Sequence, residues 1–291
     1  MAMNTVEHVT DLRIAVNGAK RSGKTVGLVP TMGALHQGHL SLIERARTEC
    51  DFVVMSLFVN PTQFTDIEDF EKYPRDPIRD RALAEKAGVS LVFEPGVGDV
   101  YVKGFDTVVV ARHLSDILEG KSRPGHFQGV ATVVTKLINM VGADKAFFGE
   151  KDYQQLQVVR RVVEDLNIPV KIVGCPIVRE ADGLAMSSRN VRLSERQRSA
   201  AAILKKALDY AQEIADTGVH DAYALRAWMA QTIEVEAEAK LDYATIVDPD
   251  ELRDVDTIDS GGIALVAATF GKIRLIDNKV LKPAPGYEVR R

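Results

Sequence analysis

Between residues 25 and 176, short β-branched runs alternate with longer stretches in which apolar positions recur every three or four residues. The short runs predict strands at 26–30, 52–59, 89–93, 107–110, 145–148 and 170–174. The longer stretches predict helices at 39–49, 77–87, 127–140 and 153–166, the last stopping before the Asn167-Ile168-Pro169 breaker. A helix over 10–19, with Thr10 in the capping position, precedes the first strand. Strands spaced by crossover helices are the signature of a parallel sheet.

After Pro176 the pattern changes. Ser194 and Gln197 have the spacing of a capping box and predict a helix to about residue 216, followed by a second over 221–239. Three apolar runs at 243–247, 263–270 and 273–276, broken at Gly261-Gly262 and Gly271-Lys272, have the form of a small antiparallel sheet. The predicted fold class is therefore α/β: a doubly wound, Rossmann-like parallel sheet over 1–176, then a second, smaller α+β domain over 177–291, with a hinge at 176–182.

Composition narrows the function without naming it. A chain of 291 residues with 46% hydrophobic and 27% charged positions can bury a sizeable core. Lys plus Arg number 37 against 41 Asp plus Glu, a net charge of −4, so a nucleic-acid partner is not expected and any polyphosphate must be met locally. The most apolar run, 263–270, is far shorter than the roughly 20 residues that cross a bilayer, so no membrane partner is expected either. Glu7, His8 and Asp11 stand where a signal peptide carries its basic head and apolar run, and a cytoplasmic location is expected. Cys50 and Cys175 match no redox or zinc spacing and read as reduced, packed thiols.

Two segments flank the first predicted strand of the sheet. Gly18 to Thr25 fits the phosphate-loop pattern G-x-x-x-x-G-K-[ST] letter for letter. That motif works when a strand enters the loop and a helix leaves it; here a helix enters and a strand leaves, which makes it a basic turn. Behind the strand comes Pro30-Thr31-Met32-Gly33-Ala34-Leu35-His36-Gln37-Gly38-His39, a glycine turn and His-x-Gly-His opening a helix. Ligands of doubly wound folds collect at this place, and two imidazoles near a helix start can converge on phosphate oxygens. A pair of loop histidines satisfied by backbone is the alternative. Ala185 to Asn190 offers two hydroxyls and a guanidinium suited to a phosphate clamp, or a helix-capping turn. Gly149 to Gln155 again follows a strand and opens a helix, with Lys151 as a phosphate charge or a solvated one.

Taken in order, His-x-Gly-His, Phe58 to Phe64, Tyr73 to Asp76, Arg123 to Phe127, Gly149 to Gln155 and Met186 to Asn190 closely resemble the bacterial pantothenate synthetase family over essentially the whole chain. The nucleotide-binding core of that family is similar to class I aminoacyl-tRNA synthetases, with Met186-Ser187-Ser188-Arg189 in place of their Lys-Met-Ser-Lys-Ser loop. Thr62 departs from the methionine expected in many relatives. Nucleotidyltransferases share the His-x-Gly-His core but stop after transferring AMP.

The resemblance implies condensation of pantoate with β-alanine, driven by ATP as substrate, through a pantoyl adenylate. It implies an ATP site of Met32, Gly33, Ala34, Leu35, His36, Gln37, Gly38 and His39, with Gly149, Glu150, Lys151, Asp152, Val178, Met186, Ser187, Ser188 and Arg189. His39, as proton donor, His36 and Lys151 are the implied catalytic groups. Gln63 and Gln155, then Asn60, Tyr73 and Arg123, are the implied pantoate and β-alanine ligands. Mg2+ is expected to arrive held mainly by ATP phosphates, with no protein metal ligand, and the chain to form a homodimer. The acidic residues 66–71 read equally as a lid or as a surface loop.

Overall fold

The computed structural model describes residues 3–65 and 67–284. Two compact units form, one of Met1–Glu150 with Gln154–Ile177, the other of Lys151–Tyr153 with Val178–Arg291.

In the larger unit, β1 (Asn4–Val6), β2 (Val26–Thr31), β3 (Phe52–Leu57), β4 (Leu91–Phe93), β5 (Lys145–Gly149) and β6 (Lys171–Cys175) make a parallel sheet in the order β1-β4-β3-β2-β5-β6. The sheet is accompanied by α1 (Val9–Arg21), α2 (Gln37–Glu49), α3 (Pro77–Ala87), α4 (His126–Val141) and α5 (Tyr153–Asp165). Leu42, Ile43 and Ala46 of α2 join Val29, Met55 and Phe147 of the strands in one buried cluster. Each such large apolar side chain contributes about 1.5–3 kcal/mol on burial. Cys50 and Cys175 are buried free thiols, and burial pushes the Cys175 thiol up to about 11.

Chain order makes the sheet functional. From β2 the chain proceeds to β3 on one side, whereas β5 lies on the other, so the strand order reverses at the β2/β5 boundary. In doubly wound sheets the crevice at the carboxyl ends of such strands receives the ligand. The ladder between β2 and β5 covers only Gly27 and Leu28. Pro30, which has no N–H to donate, falls beyond that ladder, where it removes no bond on this side.

The smaller unit carries α6 (Glu195–Ala200), α7 (Ile203–Asp216) and α8 (Ala222–Glu234), with an antiparallel sheet of β7 (Ala239–Val247), β8 (Gly262–Phe270) and β9 (Ile273–Leu281) in that order. Leu204, Leu208, Leu225, Met229, Val266 and Phe270 build its core.

Five sequence expectations need correction. Residues 107–110 are not a strand: Thr132 Oγ1 of α4 accepts from Val109 N at 2.9 Å, so a helix side chain takes the place of a ladder, although Val108 and Val110 keep the alternation by facing outward. Three-residue β1, too short to leave a periodic signal, adds a strand that pairs with β4. The cap of α1 is His8, with Thr10 inside the helix. The helix opened by the Ser194–Gln197 capping box breaks at Ala201-Ala202, and the one predicted over 221–239 ends at Glu234, Asp221 being its cap. Of the acidic stretch, Ile67–Glu71 is a short helix and Asp66 lies outside the described residues.

Candidate active site

The segment leaving β2 is built around two positive-φ residues, Gly33 at 86° and Ala34 at 50°. A Cβ on Gly33 would stand 2.9 Å from Asp80 Oδ2 and 3.0 Å from Leu57 Cδ1, so only glycine fits without displacement. His36 then caps α2. Its Nδ1 accepts from Gly38 N at 3.1 Å, while its own N–H donates to His39 Nδ1 at 3.3 Å, a reciprocal cap between the two histidines. The rings lie 4.1 Å apart. Because both Nδ1 atoms accept backbone N–H groups, the hydrogen of each neutral ring sits on Nε2, which makes both rings donors there. The Gly18–Thr25 segment, by contrast, leaves α1 and enters β2, the reverse of a phosphate loop.

A second cluster lies in the same unit. Asn60 and Gln63 are buried, and Asn60 Nδ2 donates to Gln63 Oε1 and to Gly129 O, both at 3.1 Å. Gln63 Nε2 reaches Met32 Sδ at 2.9 Å, joining this cluster to the histidine turn. Tyr101 donates to Asn60 Oδ1 at 2.8 Å, and burial pushes its phenol above its usual range. His126 Nδ1 donates to Gln63 O at 2.7 Å, so its Nε2 accepts from Arg123 Nη1 at 3.2 Å. Arg123 and His126 thus fix the Gln63 backbone while Asn60 fixes its side chain. Tyr73 is buried edge-on against Phe64. Gln155, half-buried on α5, makes no hydrogen bond to Gln63 or Asn60. Its neighbour Gln154 points elsewhere, accepting from Glu119 N and donating to Leu114 O and Ile117 O. Gly149 and Glu150 lie at and just beyond the end of β5, half-buried.

In the smaller unit, Val178 and Met186 face each other across a tight hairpin, Met186 N donating to Val178 O at 3.0 Å. Ser187 begins the following turn, its Oγ accepting from Arg189 N at 3.2 Å and its carbonyl from Asn190 N at 3.0 Å. The short helical turn that follows, Asn190–Arg192, carries no side-chain cap, and Ser188 and Arg189 before it are half-buried. Two residues of β9 hold Arg179 and the Lys151 backbone. Asp277, 1% exposed, holds Arg179 by a two-pronged pair at 2.6 and 3.0 Å, and Asn278 Nδ2 donates to Lys151 O at 2.9 Å. Lys151 Nζ is 3.8 Å from Asp152 Oδ1.

Sequence reasoning passed over Asp80, Tyr101, His126, Gln154 and the Asp277-Asn278 pair as site residues. Asp80 did leave a signal, a carboxylate one turn before buried Ala84 on the inward face of α3. Among the described residues no group of three His, Cys, Asp or Glu could hold a metal ion, and no helix is long and apolar enough to cross a membrane.

Comparison with known proteins adds an independent line. A family model described as pantoate-beta-alanine ligase matches residues 4–280. The chain is 49% identical over 280 residues to the pantothenate synthetase of Acetivibrio thermocellus, with 96% of this chain and 100% of the relative covered. It is 51% identical over 280 residues to that of Heliobacterium modesticaldum, at the same coverage. Among solved structures it is similar to pantothenate synthetase from Thermus thermophilus, with a TM-score of 0.92 and 49% identity over 97% of this chain and 100% of the other. It is also similar to a pantoate-beta-alanine ligase from Francisella tularensis complexed with beta-gamma ATP and β-alanine, with a TM-score of 0.79 and 34% identity over 96% and 98%.

Proposed function

The chain belongs to the pantoate-beta-alanine ligase family, and we propose that it works by activating pantoate as an acyl adenylate. The overall activity is ligation of pantoate and β-alanine to pantothenate with ATP as the driving substrate. In the proposed first step a pantoate carboxylate oxygen attacks the α-phosphorus of ATP and pyrophosphate leaves. In the second the β-alanine amine attacks the acyl carbon, forms the amide and expels AMP, losing a proton. The substrate supplies the nucleophile, so the protein aligns reactants and stabilises developing charge.

The observation that carries this reading is the paired Nε2–H donors at the start of α2, beside the strand-order reversal. His36 and His39 are assigned to ATP phosphates, each donating a hydrogen bond from its Nε2–H, that of His39 to the leaving pyrophosphate. Lys151, Ser187, Ser188 and Arg189 are assigned further phosphate contacts, and Asp152 the ribose hydroxyls. Gly149, Val178 and Met186 are assigned to adenosine. Gln63 and Gln155, supported by Asn60, Tyr73 and Arg123, are assigned to pantoate, with Gln63 bordering β-alanine. A neutral amide orients pantoate without the ionic grip that would blunt its carboxylate as nucleophile.

Mg2+ is assigned to the ATP phosphates and water, the habit of that cation where it is bound with a triphosphate. Such a cation offsets charge on the triphosphate. A homodimer and a cytoplasmic location complete the proposal, the first open to light scattering. The deciding experiment is isotope exchange between pyrophosphate and ATP. Exchange should require pantoate but not β-alanine, and AMP should appear only when β-alanine is added. Full turnover with no pantoate-dependent exchange would remove the adenylate.

A further inference from the structure

The histidine turn has the backbone of an anion-binding site, yet a carboxylate of the protein already occupies it. Positive φ at Gly33 and Ala34 turns successive N–H groups inward into a concavity of the kind that receives phosphate in other folds. Here Ala34 N donates to Asp80 Oδ2 at 2.9 Å and Leu35 N to Asp80 Oδ1 at 2.8 Å, across 46 and 45 residues of chain. Asp80 is 1% exposed. Its charge is compensated by these two charge-assisted bonds and by its place in the first turn of α3, where a helix N-terminus favours an anion. The fit is close, since a Cβ on Gly33 would meet Asp80 Oδ2 at 2.9 Å.

We propose that Asp80 is a positioning residue for the nucleotide: its carboxylate acts as a built-in anion that holds the turn at Ala34 and Leu35 in its binding shape before ATP arrives. The two N–H groups are then not donors to the triphosphate. They fix the residue from which His36 and His39 project, and the phosphates are met by the Nε2–H edges of those rings. A turn already in place costs no reordering when ATP binds, which is the sense in which preorganisation favours binding. The buried negative charge also keeps a phosphate from sinking into the concavity in an unproductive pose. This inference rests on the proposal that the histidine turn is the ATP site.

The test uses the full-length enzyme and Asp80→Asn, in which an amide keeps the shape but can accept only one of the two N–H groups and opposes the other with its own. Loss of one charge-assisted bond predicts an ATP KM raised on the order of 10-fold or more, with the pantoate KM within about twofold. A folded Asp80→Asn with wild-type ATP KM, equal losses for both substrates, or a loss confined to kcat would each overturn the proposal. Should the variant fail to fold, amide exchange in the wild-type protein decides. The Ala34 and Leu35 amides should be protected without nucleotide and remain so with a non-hydrolysable ATP analogue; exchange at open-chain rates in the free enzyme would overturn it. His39→Ala separates the two layers. If that variant binds and activates ATP normally, the nucleotide site itself has been misassigned; if it is impaired while Asp80→Asn is not, only the role of Asp80 falls.

Discussion

The two ends of β2 carry similar letters and different physics. The segment before the strand, Gly18 to Thr25, has the full spelling of a phosphate loop; the segment after it, Met32 to His39, has two glycines and two histidines. The first is held by exposed and part-buried polar contacts. Asp51 Oδ2 accepts from Thr25 N at 2.9 Å and from Thr25 Oγ1 at 2.7 Å, Asp144 accepts from Val26 N at 2.7 Å, and Gly23 has open space around its missing side chain. The second is held by buried Asp80, and Gly33 is hemmed in. Chain direction explains the division of labour. At the carboxyl end of a parallel strand the next helix presents its N-terminus to the crevice, whereas at the amino end the arriving helix presents its C-terminus, which repels phosphate.

The strongest way to break this comparison is to remove the candidate phosphate-binding side chain from each end. His39→Ala should slow adenylate formation by about 10²–10⁴-fold, the usual range for a positioned group that stabilises developing charge, while Lys24→Ala stays within about twofold. Single-turnover measurement of pyrophosphate release checks both, and a reversed ranking would return the nucleotide to the leading segment. The paired glycines come next. Gly23→Ala should cost about 1–2 kcal/mol for its positive φ alone, and Gly33→Ala a further roughly 1–3 kcal/mol from crowding against Asp80 and Leu57, read from urea midpoints.

Acid titration gives a smaller effect that marks the leading end. The Thr25 backbone N–H, then its hydroxyl, hold the Asp51 carboxyl below its ordinary 3.8. A carboxyl depressed in the folded state adds stability above its unfolded value and loses it as pH falls through the folded one. Asp51→Asn should therefore lower the melting temperature near neutral pH, with a gap to wild type that narrows below 3.8 and an ATP KM that does not move. Glu49, at the C-terminal end of α2, is held down to about 2 by hydrogen bonds from Lys145 and then Arg45. By the same sign, the Glu49→Gln gap should close between pH 4.5 and about 2. It should also shrink in high salt, as partly exposed ion pairs do.

The comparison also separates what could be read along the chain from what could not. The alternation of strands and helices, the Ser194–Gln197 capping box and the inverted order around Gly18 to Thr25 were legible because each depends on residues a few positions apart. The same local pattern misled at 107–110, where alternation was present but the hydrogen-bond partner was Thr132 of a helix. His-x-Gly-His was legible as a motif, but the reciprocal cap that sets both tautomers needed coordinates.

By itself the sequence determined the fold class, the family to which the chain belongs and the residue types available for chemistry, since periodicity, capping and ordered motifs are short-range properties written in the letters. Tertiary structure alone decided which strands flank β2, that Asp80 fills the concavity of the histidine turn from 46 residues away, that Tyr101 holds Asn60 across 41, and that Asn278 holds the Lys151 carbonyl across 127. Those bonds have no local signature, because a hydrogen bond requires only that donor and acceptor meet in space, and the packing of the folded chain is what makes them meet.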